Sequence, residues 1–407
     1  MAEIELKLEN IQNTFEAQKI IDSLRHGTVP KQYATELMIG RKFWLDAIDE
    51  DIDYVAQGTS KIRFISASYG GGKSHFLSAV ESIAIQKKFL VANIELHSRE
   101  APLDKFEVIF AKIMRSLTCG DDLNIIERVL NNWLSSAQIY DRPSINREIR
   151  TISPSLDFQA MLRAFVERGN SNSAEDSEIK HALFGWLCGD SLSSTLRRNT
   201  GVQNKITINN VSEIFGSFLK LVRKAGFSGI AIFLDEAEAV TSLAQSRKRD
   251  EANQNIRKLL DNADKHEGLI IIFATTPLFL EDPDKGARSY TALWDRIRTV
   301  VETPKNARPN KRTLIIKLES PGKSDLGKLS SFIIGLHSKA YDWNGKHYFS
   351  NLELDKFINK YLTTCTEKIY RLFLRSLIAI LDMVEQDPKE FSADTLVEEC
   401  NFQMDTE

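Results

Sequence analysis

Apolar positions along this 407-residue chain change their spacing several times. From Phe15 to Gly27, "FEAQKIIDSLRHG", the spacing is that of a helix. Gly27 is placed to stop it, and Val29-Pro30 to break the helical pattern beyond it. Lys42 to Ala56 repeats the helical period. At Ile62 to Ser66 the pattern switches to a short β-prone run that ends in glycines, after which "SHFLSAVESIAIQKK" reads as a helix. "FLVANIEL" predicts a second strand, and about Pro102 to Leu117 another helix. Strand, loop, helix, strand, helix is the order that builds a parallel sheet with covered faces.

Between Thr118 and Gly226 helical patterns alternate with a polar loop, "ERGNSNSAEDSE", and no strand is predicted. Strand signals resume at "GIAIFLDEAEAV" from Gly229 and at "GLIIIFATTP" from Gly268. After the basic, two-proline segment "TPKNARPNKRT" comes a last short strand, "LIIKLESP". From Gly322 to about Glu385 the chain is helical, and it ends acidic. The fold class this implies is α/β, a parallel sheet flanked by helices, with a helical insertion at about 118–226 and a C-terminal helical lid. The domain division expected is 1–35 as an N-terminal helical segment, 36–320 as the sheet domain with its insertion, and 321–407 as lid and tail.

Composition narrows the class. Hydrophobic residues are 42% and charged residues 27%, as in a water-soluble globular protein. A net charge of −3 gives no global attraction to nucleic acid, so such contact would need a local patch. Cys119, Cys188, Cys365 and Cys400 form no C-x-x-C pair, which suggests reduced thiols and no zinc site. "MAEIELKLENIQ" is not written like a signal peptide, and no apolar run reaches the roughly 20 residues a bilayer requires. A cytoplasmic protein without membrane contact is expected.

The chemistry begins at "RFISASYGGGKSHFL". Glycines between a strand and a helix let backbone N–H groups surround phosphate oxygens at a helix N-terminus, where the dipole favours anions. Gly70, Gly71 and Gly72 fill that part, Lys73 would neutralise β- and γ-phosphates, and the Ser74 hydroxyl would ligate Mg²⁺. His75 follows within reach of the nucleotide. Ala67 stands where the first glycine of G-x-x-x-x-G-K-[ST] is usual, so an ordinary turn with a surface lysine is the competing reading.

A second element is Asp235-Glu236, closing an apolar strand expected to lie beside the loop. Asp235 would hold the metal through water and Glu236 would deprotonate the attacking water. Two acids serving a helix dipole is the alternative for that pair taken alone. In "IIIFATTP", Thr276 could reach the γ-phosphate or the water. Beyond it, "SYTALWDRIR" supplies Arg296, with Arg298 as runner-up, for stabilising γ-phosphate charge from a neighbouring subunit. Either arginine could instead be half of a surface ion pair. The interval from Lys73 to Asp235 exceeds two βαβ steps of about 30 residues each, which leaves roughly 100 residues for the helical insertion.

The order of glycine loop, Asp-Glu, Thr-Thr-Pro, arginine segment and helical lid resembles the AAA+ ATPases on their origin-recognition side. More narrowly, "YGGGKSHFL", "GWLCG", "DEAEAV", "NIRKLLD", "FATTPLFLED" and "SYTALWDRIR" resemble the ATP-binding protein of bacterial BREX phage-resistance systems, BrxD type, and relatives in other defence loci. The likeness runs from about Leu24 to Leu381. It implies an ATP- and Mg²⁺-dependent motor or switch working as a homo-oligomer, with other defence proteins or with double-stranded DNA. By position, "MIGRK" would set Ile39 and Gly40 beside the adenine, and "YRLFLR" would put Arg371 in the lid near the γ-phosphate. The family commonly has proline before that arginine, where this chain has Tyr370.

"SRKRD" at 246–250 and "KNARPNKR" could meet DNA phosphates, although short basic runs are usually solvated loops. No helix-turn-helix or zinc-finger pattern is present, so any DNA contact is expected to lack sequence specificity. Two other functions stay open: an ATP-gated loader or adaptor with little turnover, and a structural subunit whose site has decayed.

Overall fold

The computed structural model describes residues 8, 11–120, 124–136, 142–169, 171, 173–301, 308–365 and 370–402. Most of the acidic N-terminal stretch, part of the basic segment before the last strand and the final residues of the tail lie outside them. Five strands are described: β1 (Ser60–Ser66), β2 (Phe89–Glu95), β3 (Gly229–Asp235), β4 (Leu269–Thr275) and β5 (Ile315–Lys317). They form one parallel sheet in the order β2-β3-β4-β1-β5. β2 and β3 pair from Phe89 opposite Gly229 to Glu95 opposite Asp235, and β3 pairs β4 from Ile230 opposite Leu269. The sequence led to the expectation that the acid strand adjoins β1; instead β4 stands between them. Nothing in an apolar run encodes its place in a sheet, since all such runs satisfy the same two-sided burial.

That burial explains the strands. All seven residues of β4 are buried, as are the first six of β3. Ile230, Ile232 and Leu234 share a core with Leu269, Ile271 and Phe273, and the Phe64 ring stacks on Phe273 at 5.0 Å. Each such side chain contributes about 1.5–3 kcal/mol on burial.

The chain forms two compact units, one of residues 48–65 and 83–316, the other of 1–47, 66–82 and 317–407. The first contains the sheet with α4 (Phe106–Ser116), α5 (Ile125–Ser136), α6 (Arg142–Ile152), α7 (Leu156–Glu167), α8 (Ala174–Leu187), α9 (Ser194–Thr200) and α10 (Val211–Lys224). The apolar faces of α4 to α10 close over the same core through Trp133 and Trp186, both fully buried. Asp51 accepts from buried Arg63 at 2.7 and 3.0 Å, and Arg63 also donates to the carbonyls of Lys311 and Thr313, tying β1 to the segment leading into β5.

The second unit contains α1 (Thr14–Arg25) with α14 (Lys323–Tyr341), α16 (Asn351–Thr364), α17 (Tyr370–Gln386) and α18 (Ala393–Glu399). Ile20, Ile21 and Leu24 of α1 share a core with Leu329, Ile333, Leu377 and Leu381. A polar chain runs through it. Arg25 donates to both Asp382 oxygens at 2.9 and 2.8 Å, and His337 Nε2 lies 2.9 Å from Asp382. Trp343 Nε1 donates to His337 Nδ1 at 2.9 Å, which fixes the ring with its hydrogen on Nε2, toward Asp382. Burial opposes charge on Asp382, but the His337 and Arg25 hydrogen bonds outweigh it and hold the carboxyl below its usual range.

Candidate functional site

β1 delivers the chain into the glycine loop, and α3 (Lys73–Gln86) begins at the lysine. Gly70 and Gly72 take positive φ values, +70° and +79°, that a β-carbon would disfavour. A Cβ on Gly71 would come within 2.9 Å of the Ser68 carbonyl. Ala67 behaves otherwise: it is buried, and it is absent from the residues of positive φ. This loop therefore makes no demand at Ala67 that only glycine meets. Lys73 is buried to 9% exposure, its Nζ 3.2 Å from the Ala67 carbonyl, so it closes the loop upon itself, whereas Ser74 is exposed in the first turn of α3. His75 Nε2 donates to the Ala34 carbonyl at 2.8 Å, and burial pushes its pKa down to about 4.

A residue the motif analysis passed over completes this group. Arg41 is only 6% exposed, and its guanidinium donates to the carbonyls of Gly71 and, at 3.0 Å, Gly72. In sequence it is one arginine just before a helical pattern, and only its burial distinguishes it. Beside it, Ile39 packs against the helical core, and Gly40 has φ +71° with Asp325 Oδ2 2.9 Å from where a Cβ would lie. Arg371 lies in α17 with its stem over Gly27, whose Cβ would meet Arg371 Cγ at 2.3 Å.

In the sheet unit, Asp235 ends β3 and accepts the Glu236 amide at 2.9 Å. Glu236 is exposed and left-handed, φ 57° and ψ 43°, a conformation that costs a non-glycine residue about 1–3 kcal/mol. After it, Ala237–Ser242 forms a 3₁₀ turn. From that turn Glu238, another residue missed in the sequence, reaches the end of β4 and accepts the Thr276 amide at 3.2 Å. The sequence holds its signal in the third acid of "DEAEA", three residues after Asp235. Thr275 is fully buried, and Thr276 opens α12 (Pro277–Glu281).

Arg296, in α13 (Thr291–Ile297), donates to Asp261, at the end of α11 (Ser246–Asp261), and to the Ala292 carbonyl at 2.6 Å. The hydrogen bond from Arg296 holds the Asp261 carboxyl below its usual range. Arg298 lies 3.3 Å from Asp295. Both candidate arginines thus have a carboxylate partner in their own chain.

The family model of the BREX system ATP-binding protein BrxC/D matches residues 13–400, nearly the whole chain. The chain belongs to this family. No curated protein matches it significantly. In this BREX ATP-binding protein the residues present fit a nucleoside polyphosphate. Cβ atoms on Gly71 and Gly72 would run into the Ser68 carbonyl and the Arg41 guanidinium, the loop opens a 14-residue helix, and a buried cation stands behind it. No helix among the described residues is long and apolar enough to cross a membrane.

Proposed function

We propose that the protein is an AAA+ type ATPase that hydrolyses ATP with Mg²⁺ as its part in BREX defence. The observation that carries this reading is the pairing of a strained Glu236 with Asp235 at the end of β3, in a sheet whose β1 runs into a glycine cradle. Left-handed backbone at a glutamate persists only where the surroundings hold it, and such outliers gather at functional sites. In this assignment Gly70, Gly71, Gly72 and Lys73 bind the phosphates, while Ser74 and Asp235 hold the metal. Bound Mg²⁺ would supply neutralisation of the developing phosphate charge. Glu236 takes the proton of the attacking water, Thr276 orients that water or the γ-phosphate, and Arg371 in the lid senses it. Ile39, Gly40 and His75 line the nucleotide. Arg296 acts on a neighbouring subunit of a homo-oligomer after leaving Asp261. We place this activity in the cytoplasm, with other defence proteins and double-stranded DNA, without sequence specificity, as partners.

The reading as an ATP-gated loader with little turnover draws support from one feature. Arg296 and Arg298 are each engaged by a carboxylate of their own chain, so a trans contact has to compete with an existing one.

Steady-state ATP hydrolysis, with and without double-stranded DNA, tests both. Turnover is expected in the wild-type protein, reduced about 10²–10⁴-fold in Glu236→Gln, as removal of a general base implies, and lost in Lys73→Ala. Stimulation by DNA would support the partner assignment. Nucleotide binding without turnover in every condition would overturn the hydrolase reading in favour of the switch.

A further inference from the structure

Arg41 presents two facts that a surface or structural arginine does not. Its guanidinium is spent on two consecutive carbonyls of the glycine loop, Gly71 and Gly72, and its Nε is buried with no hydrogen-bond partner. It is also a cation at 6% exposure for which no carboxylate partner is found among the described residues. Burying a charge without a counter-charge is costly, and carbonyl dipoles offset only part of that cost. Burial accordingly lowers the Arg41 pKa from its ordinary value, although a guanidinium stays protonated in proteins.

Peptide planarity turns these contacts into a statement about the phosphate side of the loop. The carbonyl of Gly71 shares its plane with the amide of Gly72, and that of Gly72 with the amide of Lys73; in a trans peptide the C=O and N–H bonds point in opposite directions. Fixing both carbonyls toward Arg41 therefore aims the Gly72 and Lys73 N–H groups away from it. A cation on each carbonyl also polarises the amide behind it, making it a stronger donor. We propose that Arg41 is a positioning residue for the phosphate loop, gripping it from behind so that the Gly72 and Lys73 amides are preset for a polyphosphate whose negative charge compensates the buried guanidinium. This rests on the loop binding nucleotide, as assigned above. Because the grip acts on the amides rather than on a particular phosphate, ADP and ATP are affected alike.

Titration of wild-type protein, Arg41→Gln, Arg41→Met and Arg41→Lys with fluorescent ADP and ATP, alongside thermal unfolding and hydrogen exchange without nucleotide, tests this. Gln and Met are expected to weaken both nucleotides at least tenfold and by equal factors, and Lys to recover part of the loss. Nucleotide-free melting temperature is expected not to fall, since a buried unpaired charge has been removed, while exchange of the Gly71 amide, which donates to the Ser68 carbonyl at 3.0 Å, rises at least tenfold. Weakening of ATP alone would overturn the proposal in favour of direct γ-phosphate contact. Melting lowered as much as binding would reduce Arg41 to a structural role. Should the wild-type protein bind neither nucleotide, the nucleotide reading itself fails; exchange of the Gly71 amide still decides whether Arg41 holds the loop, and unchanged exchange there refutes it.

Discussion

Glu236 and Glu238 stand two positions apart and do different physical work. Glu236 is held in left-handed backbone with its amide on Asp235, so its side chain is aimed by a strained main chain. Glycine at this position relieves the strain, and its greater freedom in the unfolded chain offsets part of the gain. Glu236→Gly is therefore expected to raise stability by up to about 1 kcal/mol while abolishing turnover. Chemical denaturation paired with an ATPase assay checks the dissociation; a clear loss of stability would show that the side chain is structural. Glu238 instead connects the acid turn to the end of β4 through the Thr276 amide. Glutamine keeps an acceptor oxygen and alanine does not, so Glu238→Gln is expected to retain most turnover and Glu238→Ala to lose it. Equal activity of the two would remove this hydrogen bond from the account. Arg41 escaped notice in the sequence for a related reason: its meaning lies in burial and in the carbonyls it meets, neither of which a one-dimensional pattern carries.

At the scale of elements, the strands were the legible part. β1, β3 and β4 are apolar runs ending in glycines or polar residues, which is how a strand buried on both faces is written. Their order was not legible, and β4 came to lie between the loop strand and the acid strand. The loop itself could be read as a cradle, but whether Ala67 spoils it depended on a backbone angle. Among the helices, α1, α14 and α17 are joined by the Arg25, Asp382 and His337 chain, whose members are 312 or more residues from Arg25 in the sequence. Asp382 has a carboxyl held below its ordinary value, so it binds fewer protons folded than unfolded. Its contribution is present above the ordinary aspartate range near pH 4 and is lost as pH falls through the lower folded value. Asp382→Asn is thus expected to cost about 2 kcal/mol at neutral pH, as loss of charge-assisted hydrogen bonds does. The gap from wild type should shrink below about pH 4. Denaturation curves from pH 2.5 to 7 read this directly, and a gap independent of pH would mean that charge is not the cause.

For the whole molecule, the helical unit is assembled from three stretches of chain, 1–47, 66–82 and 317–407. A protein ended at residue 316 would leave the apolar face of α1, Ile20, Ile21 and Leu24, without α14 and α17 to cover it. Exposed patches of that kind promote association. Such a truncation is expected to aggregate and to bind nucleotide poorly, which light scattering and a binding titration would show; a monodisperse fragment of full affinity would mean that the loop needs nothing from the helical core.

The same interleaving constrains how this protein can change over generations. Four crossings separate the stretches of the two units, and the glycine loop lies on the short stretch bounded by two of them. A single recombination breakpoint therefore cannot exchange one unit between relatives intact: it always splits at least one of them and leaves two ancestries sharing a core. New specificities in such a chain are more readily acquired by growth within a loop, as between β2 and β3, than by trading modules.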